Sequence, residues 1–330
     1  MDTIRVGIIG AGYIAQHHLE AIKSIGSIEV VGITSRTRKK AEQLAEQFNI
    51  LHCSDNVGEL IAQTKLDALM VLVSVDQMYS VVSSLLSLGL PLFIEKPAGL
   101  NKKENDDLVT LAQTHNIQTM VGLNRRYYSI FHKGIDLIRK HGKLFGIQVE
   151  GHERMWQKHQ PPKVISDLIL SNWIFANSVH TIDLLRFFGG EVKKVCSISR
   201  SHIEQNGDQF AATIEFESGV IGQYISYWYS PGGWKVTLFG DGVTVEFNPL
   251  EKGVWIDRNC KRHEILPDDE DVRFKPGFYK QIEAFGKMIK DNKKTWPLQN
   301  LADSNKTMQL IDWIKSGVCN NEVMRICNGD

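Results

Sequence analysis

The stretch Gly10-Ala11-Gly12-Tyr13-Ile14-Ala15 constrains this chain more than any other. It follows the apolar run Arg5-Val6-Gly7-Ile8-Ile9 and opens a helical pattern through Leu19, Ala21 and Ile22. G-x-G-x-x-A thus stands between a strand and a helix, the context that lifts the motif above chance. Gly10 permits a tight turn, and Gly12 lets a pyrophosphate approach the backbone at the helix N-terminus. Ala15 is small enough for close helix–strand packing. The pattern predicts a parallel sheet that binds a dinucleotide against Gly10, Gly12, Tyr13 and Ile14.

The second strand, Ile28–Thr34, runs into Ser35-Arg36-Thr37-Arg38-Lys39-Lys40. A chain selecting NAD normally carries Asp or Glu here for the ribose hydroxyls. No acid stands between Val30 and Ala41. Ser35, Arg36 and Arg38 hold the place instead and suit a 2′-phosphate, so NADP(H) is favoured, with NAD(H) as the alternative. The competing reading makes the basic run a solvated first helical turn.

The rhythm continues with a helix over 39–47, a strand near Leu51-His52-Cys53, a helix over Val57–Gln63 and an apolar strand over Ala68–Val73. A helix over Tyr79–Leu88 stopping at Gly89 follows, then a strand over Leu92–Ile94. A helix over Lys103–His115 and a strand over Thr119–Gly122 complete the series. Such alternation predicts an α/β Rossmann domain, a doubly wound parallel sheet, over residues 1–122. Ligands bind beyond the carboxyl ends of its strands, where Gly12, Arg36, Ser74 and Lys96 fall. The last follows Leu92-Phe93-Ile94-Glu95, and Pro97 biases it away from helix, so the lysine points off a strand end. Taken alone, Glu95-Lys96-Pro97 reads as a strand end with a solvated charge pair; the stretches on either side favour the functional reading.

Residues 123–330 keep a different rhythm. After a helix over Ile130–Lys140 come strands at Phe145–Glu150, Val192–Ser199, Ala211–Phe216, Val220–Trp228, Lys235–Phe239 and Val243–Phe247. This predicts an α+β domain with a large, mainly antiparallel open sheet for substrate binding and oligomerisation. Val220–Tyr229 is apolar or aromatic on both faces, which predicts a homodimer or homotetramer through that sheet. The helix Ser178–Phe188 carries His180 and Asp183 three apart. No H-E-x-x-H or Cys/His cluster appears, so no metal is expected.

Charge narrows the partners. Lys+Arg and Asp+Glu both number 38, which leaves no net field to favour nucleic acid or a membrane surface. The N-terminus lacks signal-peptide character, and no apolar run reaches a transmembrane length. Five scattered cysteines without a C-x-x-C pair predict a reduced, cytoplasmic protein.

Together these stretches resemble the Gfo/Idh/MocA family of NAD(P)-dependent oxidoreductases. The markers stand in order: the glycine turn, Glu95-Lys96-Pro97, Asn124-Arg125-Arg126-Tyr127, and His180-x-x-Asp183-Leu-Leu. The helix Phe278–Phe285 and the last helix, Leu301–Ile314, resemble the family's ending. The resemblance covers nearly the whole chain.

It implies a sugar, polyol or nucleotide-sugar substrate whose hydroxyl or keto carbon exchanges hydride with the nicotinamide. Lys96 would bond the reacting hydroxyl beside Glu95 and the cofactor, often before a cis proline, and His180 would be the proton acceptor. Such a pairing is physically sensible, because hydride leaves a carbinol carbon only as its hydroxyl proton is removed. The substrate mouth is expected to hold Arg126, Arg154, Trp156, Asn177 and Asp183, with Trp173 and Trp234. Tryptophan faces stack on rings and arginines pair with phosphates, which favours a phosphorylated or nucleotide-linked sugar. Two departures stand out. The family's Asp four residues before the His is Ala176 here, and its Pro-x-x-x-His after the fourth strand is Ser74-Val75-Asp76-Gln77-Met78. They leave open a rival reading as a catalytically decayed NAD(P)- or sugar-binding sensor, and the resemblance leaves a second, a redox-assisted glycosidase.

Overall fold

A computed structural model describes residues 3–162 and 165–317, which form two compact units. Of the described residues, the first unit takes those up to Tyr127 together with Asp269–Asn305, and the second takes those from Tyr128 to Asp268 with 306–317. The expected single boundary at 122 did not contain this return of 269–305.

In the first unit the elements are β1 (Ile4–Ile9), α1 (Tyr13–Ile22), β2 (Ile28–Thr34), α2 (Arg38–Phe48), β3 (His52–Ser54) and α3 (Val57–Gln63). They continue with β4 (Ala68–Val71), α4 (Val75–Leu85), β5 (Leu92–Ile94), α5 (Lys102–Thr114) and β6 (Thr119–Val121). The strands pair in the order β3-β2-β1-β4-β5-β6, all parallel. Every residue of β4, β5 and β6 is buried, as helices on both faces require. Helix α4 begins four residues earlier than its apolar pattern suggests, with Ser74 at the N-cap position, its side chain making no capping bond, and Asp76 in the favourable first turn.

The second unit contains α6 (Ser129–His141), β7 (Leu144–Gly151), three short helices α7 (Met155–Lys158), α8 (Asp167–Ser171) and α9 (Trp173–Ala176), then α10 (Val179–Gly189). Seven strands follow: β8 (Val192–Arg200), β9 (Gln209–Phe216), β10 (Ile221–Tyr227), β11 (Trp234–Gly240), β12 (Val243–Phe247), β13 (Gly253–Ile256) and β14 (Arg262–Ile265). The eight-stranded sheet has the order β14-β13-β12-β11-β7-β10-β9-β8. Neighbours are antiparallel except β7 and β10. Helices α6 and α10 cover its inner face. A Cβ on Gly134 would lie 2.6 Å from Phe247, and one on Gly189 2.6 Å from Phe216. Phe131 packs on Phe247 at 4.6 Å between ring centres. The outer face leaves Ile198, Ile221, Tyr227 and Phe239 more than two-fifths exposed, whereas Tyr224 and Trp228 are buried.

The remaining helices are α11 (Asp269–Arg273), α12 (Phe278–Asp291) and α13 (Leu301–Ser316). Helix α12 explains the return of the chain to the first unit. Phe278 sits 4.7 Å from His18 of α1, and Phe285 5.5 Å from Phe93 of β5. The hydrophobic face of this helix completes the core of the parallel sheet. Cys196 is disulfide-bonded, which corrects the expectation of a fully reduced chain; scattered spacing says nothing about which sulfurs a fold brings together. Cys53 and Cys260 are free thiols.

Candidate functional site

The first unit has a cavity of about 280 Å³ at the carboxyl ends of β1, β2 and β4, where the strand order reverses. The Gly10 amide donates to Thr34 O at 2.8 Å, and the Leu72 amide donates to Ile9 O at 2.8 Å, so the three strand ends are locked together. With φ at +111°, a Cβ on Gly10 would lie 2.5 Å from Leu72 O. Gly12 differs. It is the N-cap of α1 with φ −87°, and a Cβ there would meet nothing within 4 Å. The first glycine is demanded by the fold; the second keeps a helix N-terminus open to an approaching anion. That open cradle fits the pyrophosphate of a dinucleotide.

Ser35, Arg36 and Ser74 line the cavity, with Gln77 and Lys40. A hydrogen bond from Ser74, with smaller help from Gln77 and Arg36, holds the Asp76 carboxyl below its ordinary value. Arg38 is not in the lining; its guanidinium binds Glu42 at 2.9 Å and also Asp55. Lys40 is therefore the second cation of the cavity. Tyr13 stands exposed on the first turn of α1, edge-on to His17 and beneath Lys275, while Ile14 packs against the core. Met78 is wholly buried with Val82 and Leu85.

Lys96 leaves the end of β5, half-buried, and its bond to Pro97 is cis. Glu95 turns inward. It accepts the Lys96 amide at 2.9 Å, pairs with His18 Nε2 at 2.9 Å, and lies under Gly122, where a Cβ would come within 3.2 Å of the carboxylate. This carboxylate braces the lysine turn from within rather than facing the cavity. Arg126 is buried in the 3-10 turn Asn124–Tyr127, which is held by Asn124 Nδ2 donating to Pro276 O at 3.0 Å.

The second unit has a cavity of about 850 Å³ whose lining includes Glu153, Arg154, Trp156, Asn177, Trp234 and Glu251. Arg154 has φ +53°, a sparsely populated conformation for a residue with a Cβ, and its Nε donates to Gly232 O. This strained turn after β7 puts Glu153 and Arg154 side by side. Glu153 is only 6% exposed. Its Oε2 accepts Trp173 Nε1 at 2.9 Å and Asn177 Nδ2 at 2.7 Å, and its Oε1 accepts Ser178 Oγ at 2.6 Å. Burial pushes this carboxyl above its ordinary 4.5, against the pull of the three hydrogen bonds and Lys158.

His180 lies buried in the first turn of α10, its ring 5.9 Å from that of Trp234. Asp183 is elsewhere: it accepts Thr307 Oγ1 at 2.8 Å, and Thr307 in turn accepts Arg186 Nη1 at 2.9 Å. It fastens α10 to α13. The structure thus brings Arg154, Trp156 and Asn177 to one cavity and sets Asp183 apart from it. Trp173 is a buried partner of Glu153. Sequence reasoning missed Glu153 and Lys40. The only local signal for Glu153 was an acid set among Arg154, Met155 and Trp156. Among the described residues no group of three or more His, Cys, Asp or Glu is placed to hold a metal ion, and no helix is long and apolar enough to cross a membrane.

Comparison with known proteins matches both sheets to one family. Residues 4–123 match the oxidoreductase family with an NAD-binding Rossmann fold, and residues 140–246 match the Gfo/Idh/MocA C-terminal domain. YceM of Salmonella typhimurium, an oxidoreductase by name, is 33% identical over 132 residues, 40% of this chain and 42% of that protein. The scyllo-inositol 2-dehydrogenase (NAD(+)) of Bacillus subtilis is 23% identical over 313 residues, 88% of this chain and 87% of its own. A dehydrogenase structure from Chromobacterium violaceum superposes with a TM-score of 0.81 at 19% identity, covering 99% of this chain and 97% of that one.

Proposed function

The chain belongs to the Gfo/Idh/MocA family of nicotinamide-dependent oxidoreductases, and on that premise we propose that it transfers hydride between NADP(H) and a carbinol carbon of a sugar, polyol or nucleotide sugar. The observation that carries this reading is the cavity over Gly12. It opens on a helix N-terminus and is flanked by Ser35, Arg36 and Lys40, with no acid at the end of β2. Bound there, the nicotinamide supplies the hydride acceptor or donor. Lys96 hydrogen-bonds the reacting hydroxyl and stabilises negative charge on its oxygen, and His180 takes the hydroxyl proton. Trp156 and Trp234 offer ring faces in the second cavity, and Arg154 and Lys158 offer positive charge. That combination supports a substrate carrying a phosphate or nucleotide. The inositol dehydrogenase of Bacillus subtilis supports the polyol class.

The test is a paired fluorescence titration with NADPH and NADH, followed by a screen of sugars, polyols and nucleotide sugars with NADP⁺. Tighter NADPH binding with turnover of a member of the screen is the expected result. Tighter NADH binding would overturn the cofactor preference, and binding of neither would overturn the oxidoreductase reading.

A further inference from the structure

We propose that Glu153 is a positioning residue of the hydride-transfer site, bracing from the turn after β7 the segment that carries His180; this rests on the function proposed above. All three of its donors, Trp173, Asn177 and Ser178, belong to the segment immediately ahead of His180. Asn177 and Ser178 also start the helix: the His180 amide donates to Asn177 O at 3.2 Å, and the Thr181 amide to Ser178 O at 3.0 Å. One carboxylate therefore fixes, through two side chains, the turn that carries His180. It does so while lining the second cavity beside Arg154 and Trp234.

A purely structural part explains this poorly. Joining the segment to β7 needs only a neutral acceptor, and a buried carboxylate is costly unless its charge is compensated. Among the described residues no cation pairs with it: Lys158 favours its charged form but forms no ion pair with it. The polar surroundings extend further, with Thr181 Oγ1 3.5 Å from the buried Tyr224 hydroxyl. A buried acid pushed above its ordinary value, standing in a cavity wall and hydrogen-bonded to the turn that carries a candidate base, marks a functional site. Acting through Asn177 and Ser178, it would orient the turn of His180 in the transition state and leave ground-state binding largely unchanged.

The experiment is steady-state kinetics of Glu153→Gln and Ser178→Ala with the best substrate of the NADP⁺ screen, alongside NADPH titration and thermal unfolding. For Glu153→Gln, kcat is expected to fall about 100-fold, with KM and NADPH affinity within about threefold of the parent. Ser178→Ala removes one donor and keeps the carboxylate, so its kcat is expected to fall about tenfold. A folded Glu153→Gln variant with kcat within about threefold of the parent overturns the inference and leaves the function standing. Should the Gln variant not fold, an unchanged kcat in Ser178→Ala overturns it equally. If the parent binds NADPH yet turns over nothing in the screen, the functional reading falls and takes this inference with it.

Discussion

The two glycines of the first turn make opposite predictions on alanine substitution. At Gly10 the backbone has φ +111°, and the added Cβ would lie 2.5 Å from Leu72 O and 2.7 Å from Leu72 C. Positive φ at a residue with a Cβ costs about 1–3 kcal/mol, and here the end of β4 must also shift. Gly10→Ala should therefore lose about 3 kcal/mol, lowering the melting temperature by roughly 6–12 °C at about 2–4 °C per kcal/mol. At Gly12, φ −87° suits alanine and the Cβ meets nothing within 4 Å. Its substitution should leave stability unchanged or raise it by about 0.4–1 kcal/mol through the unfolded chain. The methyl group would instead occupy the approach of the pyrophosphate. Losing one charge-assisted hydrogen bond there is worth about 1.5–3 kcal/mol, or roughly 10–150-fold in NADPH affinity. Differential scanning calorimetry and NADPH fluorescence titration on both variants read the two effects separately. A Gly12→Ala variant binding NADPH as tightly as the parent would refute the placement of the pyrophosphate.

Arg36→Ala should lower the ratio of NADPH to NADH affinity by about 10–100-fold at low salt, since one charge-assisted contact to the 2′-phosphate is removed; competitive titration with the two nucleotides checks this. Arg38→Ala, whose charge already serves Glu42 and Asp55, should change that ratio less than Arg36→Ala. The raised Glu153 carboxyl predicts a pH trend in stability. The folded state binds this proton more tightly than the unfolded chain, so the contribution is full below 4.5 and is lost as pH rises through the folded value. Urea unfolding across that range should show the parent losing stability relative to Glu153→Gln as pH increases, and the opposite trend would count against a buried carboxyl. The outer sheet face carrying Ile198, Ile221, Tyr227 and Phe239 predicts a homo-oligomer in light scattering, with Ile221→Arg shifting it toward monomer; a monomeric parent would remove that proposal.

What was legible in the sequence was what is local. Apolar runs of β4 and β5, the glycine turn and the Glu95-Lys96-Pro97 strand end depend on neighbours a few residues away, and each was readable in place. Long-range pairing was not. The return of α12 to the parallel sheet depends on Phe278 meeting His18 and Phe285 meeting Phe93, contacts that no local period encodes. Strands β13 and β14 escaped because each has four residues and their turn carries no glycine or proline. It is held instead by Asp257, which accepts the Asn259 and Lys261 amides at 2.8 and 3.1 Å. Arg38 and Lys40 exchanged parts for a similar reason. The sequence shows a run of cations, and only the meeting of Arg38 with Asp55, 17 residues on, decides which of them faces the cavity.

The departures at Met78 and Ala176 bear differently once neighbours are known. Met78 falls on the buried stripe of α4 with Val82 and Leu85, so an apolar residue there serves packing. Gln77, one residue earlier, supplies a polar side chain to the cavity. Position 176 offers no carboxylate one turn ahead of His180, yet Glu153 brings one to Asn177 and Ser178 from 24 and 25 residues upstream. A decayed site would be expected to lose its costly groups first, because burying an acid costs desolvation that nothing then selects for. Here the costly group is present, takes three hydrogen bonds and lines the cavity. The Glu153 contacts to Asn177 and Ser178 therefore favour the proposed dehydrogenase over a sensor that has lost its chemistry.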